Sequence, residues 1–142
     1  MILLDTNVIS EPLRPVPEAR VVEWIDAQIL ETLYLSAMSV AELRAGVALL
    51  PAGKRRSHLH EHLEKRVLPM FAGRVLPFDL ACTDAYAGLL AKVRAAGRGI
   101  ETADACIAAV AIANRFILAT RDIRPFQVAD LNLTLIDPWE DA

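Results

Sequence analysis

The chain has 142 residues, 54% of them hydrophobic, with a formal net charge of -3 and a mean hydropathy of +0.34. That length predicts one domain over residues 1–142, burying about 70% of the surface its unfolded chain exposes. It excludes a membrane span of the usual kind, because the longest apolar run, Ala105–Ala113, is about half of the roughly 18 residues needed, and the acidic balance argues against a protein that coats nucleic acid stoichiometrically.

Ile2–Leu4 is a short apolar run ending at Asp5, with Thr6 and Asn7 placed to cap the next segment. The start, MILLD, carries no basic segment, so no signal peptide is expected. Pro12, Pro15 and Pro17 interrupt the chain, and PEARVVEWIDAQ then reads as a helix with Val21, Val22, Trp24 and Ile25 inward. Leu33–Ala37 is β-like, and Ser39 opens a helix through Leu50, ended by Pro51 and Gly53. In KRRSHLHEHLEKRVLPMF, Leu59, Leu63, Val67 and Met70 fall at helical spacing. Val75–Phe78 is another short strand. A helix runs from Ala81 to Ala96, stopped by Gly97, and a second from Thr102 to Arg115. Phe116–Thr120 and Leu133–Ile136 are the last strands. Strands and helices alternate throughout, which predicts an α/β fold, a three-layer α/β/α sandwich around a central parallel sheet.

In such sheets ligands bind beyond the carboxyl ends of the strands. Four apolar strands here run into an acid, at Asp5, Asp79, Asp122 and Asp137, and two helices carry one in their first turn, at Glu42 and Asp104. Gathered carboxylates repel one another unless they protonate or bind a cation. An all-oxygen set without Cys or His suits Mg²⁺ or Mn²⁺, and such ions serve phosphodiester or phosphoryl chemistry. Plainer roles compete. Ser39-x-x-Glu42 reads as a capping box. Thr102 as N-cap with Asp104 as an acid complementing the helix dipole is as good a reading as metal ligation. Asp79 reads as the cap of the next helix and Asp137, before Pro138, as a turn residue. Asp5 ends a strand and needs no capping role of its own.

Other features carry less. His58, His60 and His62 lack the HExxH order of zinc proteases and read as a solvated helix face. Cys82 and Cys106 form no disulfide framework and read as buried thiols of a reducing cytoplasm. The apolar surplus suggests an interface with another chain. Trp24 and Trp139 read as packing residues.

MILLDTNVISE, SAMSVAELRAGV, ETADACIAAVA and ILATRDIRPF together resemble the four motifs of PIN-domain ribonucleases, in the order seen in VapC toxins and with a closer resemblance to the FitB subgroup. The resemblance spans essentially the whole chain. It implies the toxin of a type II toxin–antitoxin pair, a cytoplasmic Mg²⁺- or Mn²⁺-dependent endoribonuclease acting on RNA. It further implies a homodimer, neutralised by an antitoxin of the ribbon–helix–helix type whose complex binds operator DNA. The family's acidic positions fall on Asp5, Glu42, Asp104 and Asp122, with Asn7 and Thr120 as supporting polar positions. Where many VapC proteins read TRNxxDF, this chain reads TRDIRPF, with Pro125 before the Phe and the acid at Asp122. One carboxylate fewer lowers the charge available to a second metal. Two alternatives are a Mg²⁺-dependent phosphatase of the haloacid-dehalogenase kind, which wants an Asp where Asn7 stands, and a catalytically silent module acting in a DNA-bound repressor complex.

Overall fold

In the computed structural model, residues 1–140 are described. Five short strands form one all-parallel sheet: β1 (Ile2–Leu4), β2 (Leu33–Ser36), β3 (Val75–Leu76), β4 (Ile117–Ala119) and β5 (Leu135–Ile136), in the spatial order β3-β2-β1-β4-β5. The chain winds outward from β1 to β3, then returns to the other side of β1 for β4. Between β1 and β4 the winding reverses; in open α/β sheets the crevice at the carboxyl ends of two such strands is where ligands bind.

Six helices connect the strands: α1 (Thr6–Ser10), α2 (Ala19–Asp26), α3 (Ala37–Ala48), α4 (Lys54–His62), α5 (Leu80–Ala95) and α6 (Thr102–Asn114). The alternation of β1 fixes the layers. Ile2 and Leu4 face a core with Val8, Val21, Leu43, Leu63 and Phe71, from α1, α2, α3 and the segment after α4. Leu3 faces the opposite core with Leu89, Val93, Ile107, Ala108 and Val110, from α5 and α6. The small side chains of α6 are almost all buried, so that helix lies close against the sheet. These are the three layers that the alternating pattern predicts.

Differences lie in caps and phase. Asp5 itself caps α1, accepting from the Thr6 backbone N–H at 2.7 Å, so Thr6 and Asn7 are helical rather than capping residues. Helix α3 is capped by Ser36, whose hydroxyl accepts from the Ser39 backbone N–H at 3.1 Å. Ser39 therefore sits inside the first turn, and the expected Ser39–Glu42 capping box does not exist. Glu101, not Thr102, occupies the N-cap of α6, without a side-chain bond. Past α4 the chain widens into a π turn over Leu63–Val67 and tightens into a 3₁₀ turn over Leu68–Phe71. Leu63, Val67 and Phe71 thus turn inward four residues apart, while Met70, expected inside, is 45% exposed. Asp79 caps α5 by accepting from the Cys82 N–H at 3.2 Å, and Asp137 turns the chain by accepting from the Trp139 N–H at 2.9 Å, both as read from the sequence. Cys82 is buried and Cys106 half-buried; both are free thiols.

Candidate active site

The crevice is built on Asp5. Its backbone N–H donates to the Ala119 carbonyl at 2.9 Å, continuing the β1–β4 ladder one residue past the strand. Its side chain is 6% exposed and fixed at both oxygens. Oδ1 accepts from the Thr6 N–H, and Oδ2 from the Thr120 hydroxyl at 2.7 Å. Asn7 braces the same corner: its amide nitrogen lies 3.5 Å from Asp5 Oδ2, and its Oδ1 accepts from the Arg121 backbone N–H at 3.2 Å. Position 7 therefore ties two strand ends together rather than serving as the second acid that the phosphatase alternative requires.

Glu42 projects from the second turn of α3, where it has no capping duty. Oε1 accepts from the Thr6 hydroxyl at 2.7 Å, and Thr6 Oγ1 also lies 2.9 Å from the hydroxyl of Ser39, itself 3.3 Å from that of Ser36. Each hydroxyl has one proton and a carboxylate only accepts, so the protons run one way, from Ser36 to Ser39 to Thr6 to Glu42. Ser36 and Ser39 are fully buried, which makes this line expensive to break. Sequence reading gave neither Thr6 nor Ser39 a part in the site. The signal was present in Ser36-x-x-Ser39-x-x-Glu42, which offers the capping pattern in two registers.

Asp104 enters in the first turn of α6, half-buried. Asp122 lies on the exposed loop after β4, with Oδ1 3.3 Å from Arg124 Nε. The carboxylates act on one another. Burial pushes the Asp104 carboxyl up from an ordinary 3.8 to about 6, with Asp5, Glu101, Glu42 and Asp122 adding to the rise. Burial raises Asp5 as well; the Thr120 and Thr6 hydrogen bonds offset part of this, and Glu42 and Asp122 add to it.

Asp5, Glu42, Asp104 and Asp122 thus lie near enough to act on one another, and Asn7 and Thr120 hold Asp5, but the six do not form a closed cage. Among the described residues, no group of three or more His, Cys, Asp or Glu side chains is arranged to hold a metal ion. Asp5, Glu42 and Asp122 are each turned toward a hydrogen-bond donor of their own. The donor chemistry nonetheless fits a hard divalent cation: all oxygen, anionic, and in mutual repulsion that a cation relieves. The three histidines of α4 gather no such set.

The profile of the PIN domain matches residues 2–131. The chain is 67% identical over 140 residues to "Plasmid stability protein StbB" of Pseudomonas syringae pv. tomato, covering 99% of each chain. It is 55% identical over 142 residues to "VapC ribonuclease Y4jK" of Sinorhizobium fredii, covering both in full, and 53% identical over 141 residues to "Toxin FitB" of Neisseria gonorrhoeae, covering 99% and 100%. Among solved structures it matches FitAcB of Neisseria gonorrhoeae with a TM-score of 0.92 and 51% identity over 99% of each chain. It matches FitAB bound to an IR36 DNA fragment with a TM-score of 0.92 and 50% identity, over 99% of this chain and 96% of that one.

Proposed function

The chain belongs to the PIN-domain family, among its VapC- and FitB-type toxins, and from that premise we propose that it is a metal-dependent endoribonuclease whose site is Asp5, Glu42, Asp104 and Asp122, with Asn7 and Thr120 in support. One observation carries this reading: buried Asp5, pinned by Thr120 and Thr6 at the reversal of the sheet, shares its surroundings with an Asp104 held at about 6. Carboxylates kept in repulsion at a crevice are the mark of a cation site more than of capping.

Asp5 and Asp104 are the most direct ligands of the ion, with Glu42 and Asp122 completing the charge. Thr6 and Thr120 fix the oxygens of Glu42 and Asp5, so little side-chain freedom is left to lose when a cation binds. When bound, Mg²⁺ or Mn²⁺ supplies positive charge beside the phosphodiester and a water of lowered pKa. Thr6 acts at one remove, aiming Glu42 from within the fold.

The same reading takes residues 1–142 as one domain working in the cytoplasm. Among the described residues, no helix is long and apolar enough to cross a membrane. The names of the solved relatives pair FitA with FitB and place the pair on DNA. By similarity, this chain is restrained by an antitoxin, of the ribbon–helix–helix type, and reaches operator DNA through it. Val75 and Phe78 at 40% exposure and Leu80 at 85% leave apolar surface open at and just after the β3 edge strand, which suits a homodimer.

The test is cleavage of a structured RNA by the antitoxin-free chain. Activity with Mg²⁺ or Mn²⁺, lost with chelator and in Asp5→Asn, is expected. No cleavage of any RNA with metal present would leave the silent binding module as the better reading.

A further inference from the structure

We infer that Arg121 is a phosphate-binding residue of this site, gripping the RNA backbone beside the carboxylate crevice; the inference rests on the ribonuclease reading above. Arg121 stands between Thr120, which holds Asp5, and Asp122, and its own backbone N–H is held by Asn7. Its side chain is exposed. Its guanidinium carbon lies 5.0 Å from the centre of the Trp139 ring, so the cation rests on an aromatic face. Trp139 is no loose partner: it packs against the core, its N–H is bound by Asp137, and its carbonyl accepts from Arg20.

This arrangement differs from those of the neighbouring cations. Arg124 is paired with Asp122, and Arg20 is spent on the Trp139 carbonyl. Among the described residues, Arg121 makes no ion pair. Stacking occupies the plane of a guanidinium and leaves its edge of N–H donors available, in the fork that fits two phosphate oxygens. The hollow of about 330 Å³ beside the pair is lined by Glu18, Asp137 and Glu140 as well as the two arginines. Three acids against two arginines leave that hollow net acidic, so the phosphate is taken at the solvent-exposed part of Arg121 rather than inside it. The need is physical: four carboxylates line the crevice of a chain with net charge -3, and an RNA strand approaching them requires an anchored cation at the rim.

The test measures binding of fluorescent single-stranded RNAs of several sequences to the full chain carrying Asp5→Asn, across a salt series, with and without Arg121→Ala or Arg121→Lys. Arg121→Ala is expected to weaken binding about tenfold for every sequence. The slope of log affinity against log salt should fall by about 0.7, the value of one phosphate contact on a single strand. Arg121→Lys should keep the slope and lose part of the affinity. An unchanged affinity in Arg121→Ala overturns the inference alone, as does a loss confined to one base identity, which would mark a base-stacking role. If the parent binds none of the RNAs, the ribonuclease reading falls and this inference with it.

Discussion

Replacing Asp104 by Asn tests whether the acids of the crevice are a repelling set. In the metal-free protein the Asp104 carboxyl is raised from 3.8 to about 6. At about 1.36 kcal/mol per unit, that rise amounts to about 3 kcal/mol against the ionised form. The side chain is only half-buried, so solvent screening cuts this to about 1.5 kcal/mol. An acid in the first turn of α6 also gains about 0.5 kcal/mol from the helix dipole, which Asn forfeits. Asp104→Asn should therefore stabilise the metal-free chain by about 1 kcal/mol at pH 7.5, or about 3 °C in Tm. The sign comes from proton linkage. A carboxyl with a raised folded pKa binds more protons folded than unfolded, so stability falls as pH climbs from about 4 through about 6. The mutant lacks that loss, so its advantage should vanish near pH 4 and reach its full size above pH 7. Thermal melts in chelator across this range, followed by circular dichroism, provide the measurement. A second series adds Mn²⁺ at about ten times its Kd, where a bound ligand contributes about 1.4 kcal/mol. The wild type should gain, and the mutant should not. A mutant less stable at pH 7.5 that keeps the Mn²⁺ shift would show Asp104 to be a helix-start acid, and the reasoning would be refuted.

Thr6→Val removes the hydroxyl between Ser39 and Glu42, and should cost about 1–2 kcal/mol in urea unfolding. It should also lower the cleavage rate about tenfold or more, because Glu42 loses its aim while every proposed ligand is retained. A rate within twofold of wild type would remove Thr6 from the site. Glu11 is a buried acid away from the crevice, bound by Arg14 at 3.0 Å with its side chain 3% exposed. Arg14→Ala leaves that carboxylate with the Glu18 backbone N–H alone and should cost about 2 kcal/mol, tempered by the exposure of Arg14 itself. Lys65→Ala, which breaks the exposed pair with Glu61, should leave the midpoint unchanged in the same denaturation assay.

The features legible in sequence are those fixed by local pattern. Apolar runs ending in acids marked β1 and β4, and the alternation of elements marked a parallel sheet with Asp5 and Asp122 at its carboxyl edge. The strand order was not legible, because it depends on pairings across more than a hundred residues, such as Ile2 with Ile117. Caps misled for a different reason. Both candidates are serines, among the best N-caps, so Ser36 and Ser39 compete on local terms, and only the burial of Ser39 against Thr6 decides. That choice matters at the site: assigning Ser39 to the cap ties Glu42 to its own backbone, whereas capping by Ser36 frees Glu42 for the crevice. Met70 was misplaced because a π turn shifts the helical phase, and no residue in LEKRV announces one.

The hydrogen bond from Thr120 to Asp5 joins residues 115 positions apart. Its consequence is one of timing. A ribosome that has made the first hundred residues has already produced Asp5, Thr6 and Glu42, but not Asp104, Thr120 or Asp122. On the proposed site, a chain still short of Asp104, Thr120 and Asp122 lacks two of the four carboxylates and the hydroxyl that fixes Asp5, and should not cleave RNA. Split at the Gly97–Gly99 connection, the two pieces should each be inert toward RNA and regain cleavage when mixed. The opening strand waits at the centre of the sheet for a partner synthesised almost last.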